Sequence, residues 1–307
     1  MRQLLLAGSQ SPWLREQATH RAFVRRAVSR FMPGETLDDG LRAARELAAR
    51  GLASTITHLG ENIGARAEAE AEVAHYRQAL DRIAADALDA EVSVKLTHLG
   101  LDLDPALATR LTQCLAERSA TLGRRLWIDM EGSPYVEPTL ALHARVRAAT
   151  AGVGVCVQSY LRRTSHDVEA LIAQGAAVRL VKGAYAEPAA IAFPDKREVD
   201  AQFLALAQRL LSEPARANGV WLAVGTHDRA LIAAIERFVS DHDIPRDAFE
   251  FAMLYGIQTA EQLRLARAGY KVRVLVSYGD SWFPWYMRRL AERPANLWFV
   301  LRNMFAR

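Results

Sequence analysis

The sequence predicts an α/β fold in which eight parallel strands, each followed by a helix, close into a (βα)8 barrel. Three observations carry this. Past residue 51, short runs rich in β-branched and aromatic residues alternate with longer helical segments, and that alternation implies parallel strands. There are eight such runs, the number with which a barrel of this class closes. No Gly-x-Gly-x-x-Gly leads from the first strand into a helix, and its absence disfavours the doubly wound sheet, the other architecture open to such a chain. Gly152 and Gly154 precede a strand instead.

The elements follow in order. Residues 1–50 read as a helical arm: SPWLREQATHRAFVRRAVSRFMPGE, then LDDGLRAARELAARG, with Ser9 or Ser11 as a cap and Gly34 and Gly51 as closures. The barrel then occupies 51–307. Its strands are LASTITHL (52–59), EVSVKLTHL (91–99), RLWIDME (125–131), GVGVCVQSY (152–160), AAVRLVKGAY (176–185), GVWLAVGTH (219–227), FEFAMLYG (249–256) and YKVRVLVSYG (270–279). Between them, ARAEAEAEVAHYRQALDRIAADAL, DPALATRLTQCLAERSATLG and DVEALIAQG repeat apolar residues at helical spacing. Thr-His-Leu-Gly occurs at 57–60 and again at 97–100, each time closing a strand run. With only two copies this is similar local geometry, not a repeat array.

At 307 residues the chain suits one barrel, for which about 250 residues is typical. The net charge of +4 is mildly basic and fits an anionic ligand or membrane headgroups. No basic block interleaved with aromatics suggests a nucleic-acid groove. The two cysteines form no framework, which suits a reducing cytoplasm, and Cys156 reads as a small core residue. The N-terminus lacks a signal-peptide pattern and is too short in apolar residues to span a membrane.

Barrel sites form at the C-terminal strand ends. The polar residues expected there are Glu61, Lys95, Asp129, Glu131, Gln158, Tyr160, Arg179, Lys182, Tyr185, Thr226, His227, Tyr255, Tyr278 and Asp280. Buried charges need partners, so a polar ring inside apolar runs points to a ligand site. Its cations, with Arg288 and Arg289 from the aromatic stretch WFPWYMRRLAERPANLWFV (282–300), suit a carboxylate or phosphate. His58, His98 and His227 stand on different strands without a metal-binding spacing or a carboxylate cluster, so no metal is expected. No nucleophile elbow or P-loop is present.

Read together and in order, VSVKLT, IDMEG, VQSYLRRT, VRLVKGAYAEP, VGTHD, EFAMLYG and YMRRLAERPAN resemble the proline dehydrogenase family from about residue 50 onward. The resemblance implies a distorted barrel with the last helix over its mouth, FAD as cofactor, and oxidation of L-proline to 1-pyrroline-5-carboxylate as the first step of proline catabolism. It places the substrate carboxylate on Arg288, Arg289 and Lys95, with Ala184, Leu254 and Trp285 around the ring. Flavin contacts fall on Gln158, Arg179, Lys182, Gly183, Ala184, Thr226, His227 and Glu292. Arg179 would stand near flavin N5 and Lys182 would add positive charge. Asp129 would orient Lys95 or Arg288, and Glu61 would pair with Arg288 and gate the site. Electrons would pass to a membrane quinone, from a cytoplasmic enzyme that can lie peripherally at the inner face of the membrane. The product would go to a separate pyrroline-5-carboxylate dehydrogenase.

The chain departs from the family pattern at Trp285, where a tyrosine is usual, and at Leu275, where strand 8 carries another. Asp228 stands for the asparagine of Thr-His-Asn, and Ala186 for a tryptophan that sometimes follows Gly-Ala-Tyr. These positions bear on ring packing, and they keep hydroxyproline or another cyclic amino acid open as substrate. A flavin-free lyase using Lys95 or Lys182 as a Schiff-base nucleophile, and a non-catalytic barrel binding an acidic small molecule, are the readings from other classes.

Overall fold

In the computed structural model, which describes residues 28–282, eight strands pair in sequence order and the first closes on the last. The strands are β1 (Ala53–His58), β2 (Ala90–Val94), β3 (Leu126–Ile128), β4 (Val153–Gln158), β5 (Ala177–Val181), β6 (Trp221–Gly225), β7 (Phe249–Leu254) and β8 (Lys271–Tyr278). All neighbours are parallel, and the closing pair runs in register from Ala53↔Arg273 to His58↔Tyr278.

Helices α1 (Leu37–Ala48), α2 (Arg66–Ala85), α3 (Pro105–Thr121), α4 (Val136–Ala149), α5 (Thr164–Ala173), α6 (Lys196–Leu211), α7 (Glu213–Ala217), α8 (Arg229–Asp241) and α9 (Thr259–Arg267) complete the described chain. Their starts obey local chemistry. Thr36 and Asp39 form a reciprocal capping box on α1. Asp104 accepts from the Ala106 N–H at the start of α3, with Pro105 at the first helical position. Helix α1 buries Leu41, Ala44 and Leu47 in the same core as the strands, and Gly40 brings it down onto the Tyr278 ring.

Strand residues alternate between two environments, as the pleat requires. Outward residues such as Val92, Val155, Val178, Phe251 and Val274 pack under the helices in one continuous core. Inward residues form a separate small cluster of Trp127, Ala177 and Ala223. Below and beside it lies a charged layer. Arg273 donates to Glu250 at 2.9 Å and to the Ser54 carbonyl at 2.9 Å, while the Trp127 indole N–H donates to Glu91 at 2.7 Å. These groups are buried and paired, which is the condition for charge in an interior.

Every strand ends before its sequence run does, and three of them, β2, β3 and β5, end three or more residues early. β2 stops at Val94, and residues 97–99 form a single 3-10 turn ending at Gly100. The second Thr-His-Leu-Gly is therefore a turn, not a strand end: Thr97 turns away from the ladder to donate its hydroxyl to Glu131 at 2.8 Å. β3 stops before Asp129 and β5 before Lys182, so both residues lie in the loops above the strands. The expected last helix, with Trp285, Arg288, Arg289 and Glu292, lies outside the described residues, as does most of the N-terminal arm.

His143 of α4 is fully buried against the Val153 carbonyl, 3.3 Å from Nε2, and burial lowers its pKa from 6.5 to about 4. The unfolded chain therefore binds the extra proton first as pH falls. The resulting stabilisation is complete above about pH 6.5 and is lost as pH falls through about 4, roughly 3 kcal/mol in all. Urea denaturation at pH 7 and pH 4.5 should show His143→Gln losing about 2–3 kcal/mol less than the wild type over that interval; equal losses would remove His143 from the acid sensitivity.

Candidate active site

The C-terminal ends of the strands carry a polar ring, and the barrel decides which of its members meet. On β2, Glu91, Ser93 and Lys95 are spaced by two and so share the inward face. Lys95 follows the last residue of the strand, and its Nζ lies 3.4 Å from Glu61, the residue reached three positions after β1. Both side chains are largely shielded from solvent.

One level down, Arg179 extends from β5 across the lumen. Its guanidinium bonds Asp129 and the Ser93 hydroxyl, which itself donates to Asp129 at 2.8 Å. The Trp127 ring lies under the guanidinium, with its centroid 5.1 Å away. Burial opposes the charge on Arg179, but Asp129, and behind it Cys156 and Glu250, together more than offset it, so the pKa is raised and the cation is permanent. Among the described residues Asp129 is the counter-ion of Arg179, which reaches it from two strands away, and not of Lys95, which pairs with Glu61; Arg288, the other expected partner of Asp129, lies outside the described residues. Cys156 lies beside Arg179 in the register of β4 and β5, inside the lumen, and burial pushes its thiol pKa up.

Lys182 also differs from expectation. Its ammonium bonds Asp200 of α6 and Asp228, the latter at 2.8 Å, and Lys196 bonds the same two carboxylates. Burial pulls the Asp228 carboxyl upward, but the two ammonium groups hold it well below the usual carboxylate range. Two lysines facing two aspartates balance, so Lys182 brings little net positive charge. Asp228 also caps α8 through the Ala230 N–H, 3.1 Å away.

The remaining predicted positions converge on the same rim. Gln158 donates its amide N–H to the Glu131 carbonyl at 2.8 Å, and its buried Oε1 has no hydrogen-bond partner among the described residues. Glu131 is pushed up by burial. His227 accepts from the Leu254 N–H at Nε2, 3.1 Å away, which leaves the ring proton on Nδ1 as a donor. Thr226 is buried, and its hydroxyl oxygen accepts from the Asp228 N–H at 3.1 Å. Gly183 has φ +110°, and a Cβ there would overlap the Tyr160 ring, so only glycine allows the turn that carries Lys182 and Ala184 over the rim. Ala184 and Leu254 sit partly exposed on that rim.

Sequence reading did not single out Ser93, Trp127 or Asp200. The period-2 spacing of Ser93 with Lys95, and of Trp127 with Asp129, was the available signal. For Asp200, on a helix far along the chain, there was none.

Residues 40–302 match the family model described as proline dehydrogenase. Proline dehydrogenase 1 of Bacillus subtilis is 39% identical over 281 residues, 91% of this chain and 91% of that protein. Proline dehydrogenase of Deinococcus radiodurans is 33% identical over 309 residues, 99% of this chain and 97% of that protein. Among solved structures, proline utilization A from Bdellovibrio bacteriovorus, inactivated by N-propargylglycine, is similar with a TM-score of 0.80 at 24% identity. The match covers 88% of this chain but only 33% of that one, so this chain spans about a third of that structure, and the likeness is one of fold.

The lumen pair has a measurable signature. Asp129→Ala leaves a buried guanidinium without its counter-ion and should cost about 3–5 kcal/mol in urea denaturation. Replacing both partners, Asp129→Leu with Arg179→Met, should cost clearly less than the sum of the single changes. Additive costs would mean that the two side chains do not act as a pair.

Proposed function

The chain belongs to the proline dehydrogenase family, and on that premise we propose that it oxidises L-proline to 1-pyrroline-5-carboxylate with FAD, at the C-terminal mouth of its barrel. The observation that carries the reading is the buried Arg179–Asp129 pair with Lys95 just above it: a fixed cation in the lumen beneath a second cation at the rim.

The residues present fit a flavin. The ring system of a flavin has an N–H edge and carbonyl oxygens. Gln158 offers a buried carbonyl oxygen with no other partner among the described residues, and His227 offers an Nδ1–H. Thr226, Gly183, Ala184 and Lys182 border the same rim, and Glu292 is assigned to the cofactor from the resemblance alone. When bound, the flavin supplies the hydride acceptor, its N5, for the C5 hydrogen of proline. Arg179 supplies a fixed positive charge that favours an electron-rich ring.

The other steps belong to the chain. Lys95, with Arg288 and Arg289, holds the substrate carboxylate; guanidinium forks match its two oxygens. Ala184, Leu254 and Trp285 flank the ring. The substrate amine has to be neutral for hydride loss, and the cations around it lower its pKa because like charges disfavour protonation. Glu61, 3.4 Å from Lys95, is the gate residue and exchanges its cation partner as substrate enters. Residues 1–50 act as an arm on the 51–307 barrel. The described part of that arm, α1, packs on the strands.

A membrane quinone would be the final electron acceptor, with the enzyme in the cytoplasm and in peripheral contact with the membrane. A separate dehydrogenase takes the product. Among the described residues, no helix is long and apolar enough to cross a membrane.

An anaerobic absorbance titration tests the reading. The purified protein should show an oxidised-flavin spectrum that bleaches on addition of L-proline; a spectrum unchanged by proline would overturn the substrate, and a protein unable to take up FAD would overturn the chemistry. Arg288→Lys replaces a fork by a point charge. It should raise KM for proline about 10- to 100-fold with a smaller effect on kcat, from the roughly 1.5–3 kcal/mol of a charged hydrogen bond.

A further inference from the structure

The two Thr-His-Leu-Gly segments have no role in the proposed reaction, yet the fold brings their histidines together. His58 ends β1 and belongs to its outward-facing set, with Ser54 and Ile56; His98 lies in the 3-10 turn after β2. Between them stands Glu72 of α2, a residue that sequence spacing could not connect to either. Its carboxylate oxygens lie 3.0 and 2.9 Å from His58 Nδ1, and Oε1 lies 3.4 Å from His98 Nδ1. One ligand atom from each of the three residues falls within 4.8 Å of the others. The expectation that no carboxylate stands at ligand spacing from these histidines is corrected here, because the third member comes from a helix.

We propose that His58, Glu72 and His98 form a binding site for one divalent transition-metal ion of the zinc class, between the barrel wall and α2 and outside the lumen. The donor set is two imidazoles and one carboxylate, which suits zinc and its neighbours and not calcium or magnesium. With metal–ligand bonds of about 2.0–2.2 Å, donors around a tetrahedral ion stand about 3.3 Å apart. Both Glu72–His distances are already near that value, so entry of the ion needs only closure between the two imidazoles. A single N–H on His58 cannot point well at both carboxylate oxygens, whereas an ion on that side satisfies the carboxylate and both rings together.

The site is held by rigid neighbours. The His58 N–H donates to the Tyr76 hydroxyl at 3.0 Å, which in turn donates to the Ser93 carbonyl at 2.8 Å. A Cβ on Gly60 would run into the His98 ring, so the glycine is what admits that imidazole. His75 stacks on His58 with ring centroids 4.4 Å apart and meets the Tyr278 hydroxyl at 2.6 Å, forming the outer wall. An ion here ties β1, the turn after β2 and α2 together. Glu61 and Lys95 each lie three residues from one of the histidines, so it also steadies the segments that carry them.

The test uses the full chain after EDTA treatment. Calorimetric titration with Zn2+, and with Co2+ read by its visible d–d bands, should give one equivalent per chain and a rise in Tm. Glu72→Gln and His98→Gln should each weaken binding by about 100-fold or more, at or beyond the effect of outer-sphere changes, while His75→Gln stays within a few-fold of wild type. No stoichiometric binding, or binding that survives both ligand changes, overturns the site. Should those variants fail to fold, X-ray absorption on the zinc-loaded wild type decides. Two imidazole nitrogens and a carboxylate at about 2.0–2.2 Å support it, and any other ligand set overturns it.

Discussion

A charge placed inside a barrel has to be neutralised there, because burial takes it away from bulk water and desolvation costs several kcal/mol per ion. This constraint orders the interior into levels. At the base, Arg273 takes Glu250 and lies 3.3 Å from Glu91, which also accepts from Trp127. Above it, Arg179 takes Asp129 and Ser93. At the rim, Lys95 takes Glu61, and Lys182 takes Asp200 and Asp228. The Arg273–Glu250 pair at the base is sealed from solvent. Exposure of the cations grows toward the mouth, from Arg273 to Lys95 and Lys182. A cation free to exchange its partner is one whose own side chain is partly solvated, and in this stack those cations stand at the rim.

The same levels explain why the fold was so legible. Eight β-rich runs separated by helical patterns leave little choice of topology, and each run overlaps the strand found at that place. The strand ends were less legible. β2, β3 and β5 stop well short of their runs, with Lys95 beyond Val94, Asp129 beyond Ile128 and Lys182 beyond Val181. Hydrophobic periodicity continues through those points, because Leu96, Met130 and Leu99 are buried even outside the strands. Burial pattern alone therefore overruns the hydrogen-bonded element.

Pairing inside the site was the part that sequence could not supply. Asp129 and Arg179 are 50 positions apart and stand on strands separated by β4. Which cation a carboxylate meets depends on side-chain reach across the lumen, not on spacing. The Asp228 substitution is the clearest case. As a residue type it reads as a departure from an asparagine. In the fold it balances Lys196, a second cation beside Lys182, with Asp200 completing the square. A neutral side chain at 228 would leave two ammonium groups facing one carboxylate.

The two faces of one strand also divide the labour. Along β1 the inward residues Ala53, Thr55 and Thr57 face the lumen, while Ser54, Ile56 and His58 face the helices. A residue and its neighbour on a strand thus serve different compartments. Glu61 and Lys95 meet on the lumen side, and His58 and His98, each three positions away, meet Glu72 on the helix side. Both pairs are fixed by the same two backbone segments. Any ligand that tightens the outer cluster therefore acts on the inner pair through a few peptide units, with no long path of side chains between them. That geometry makes the outer histidines part of how the mouth is held, even though none of them faces it.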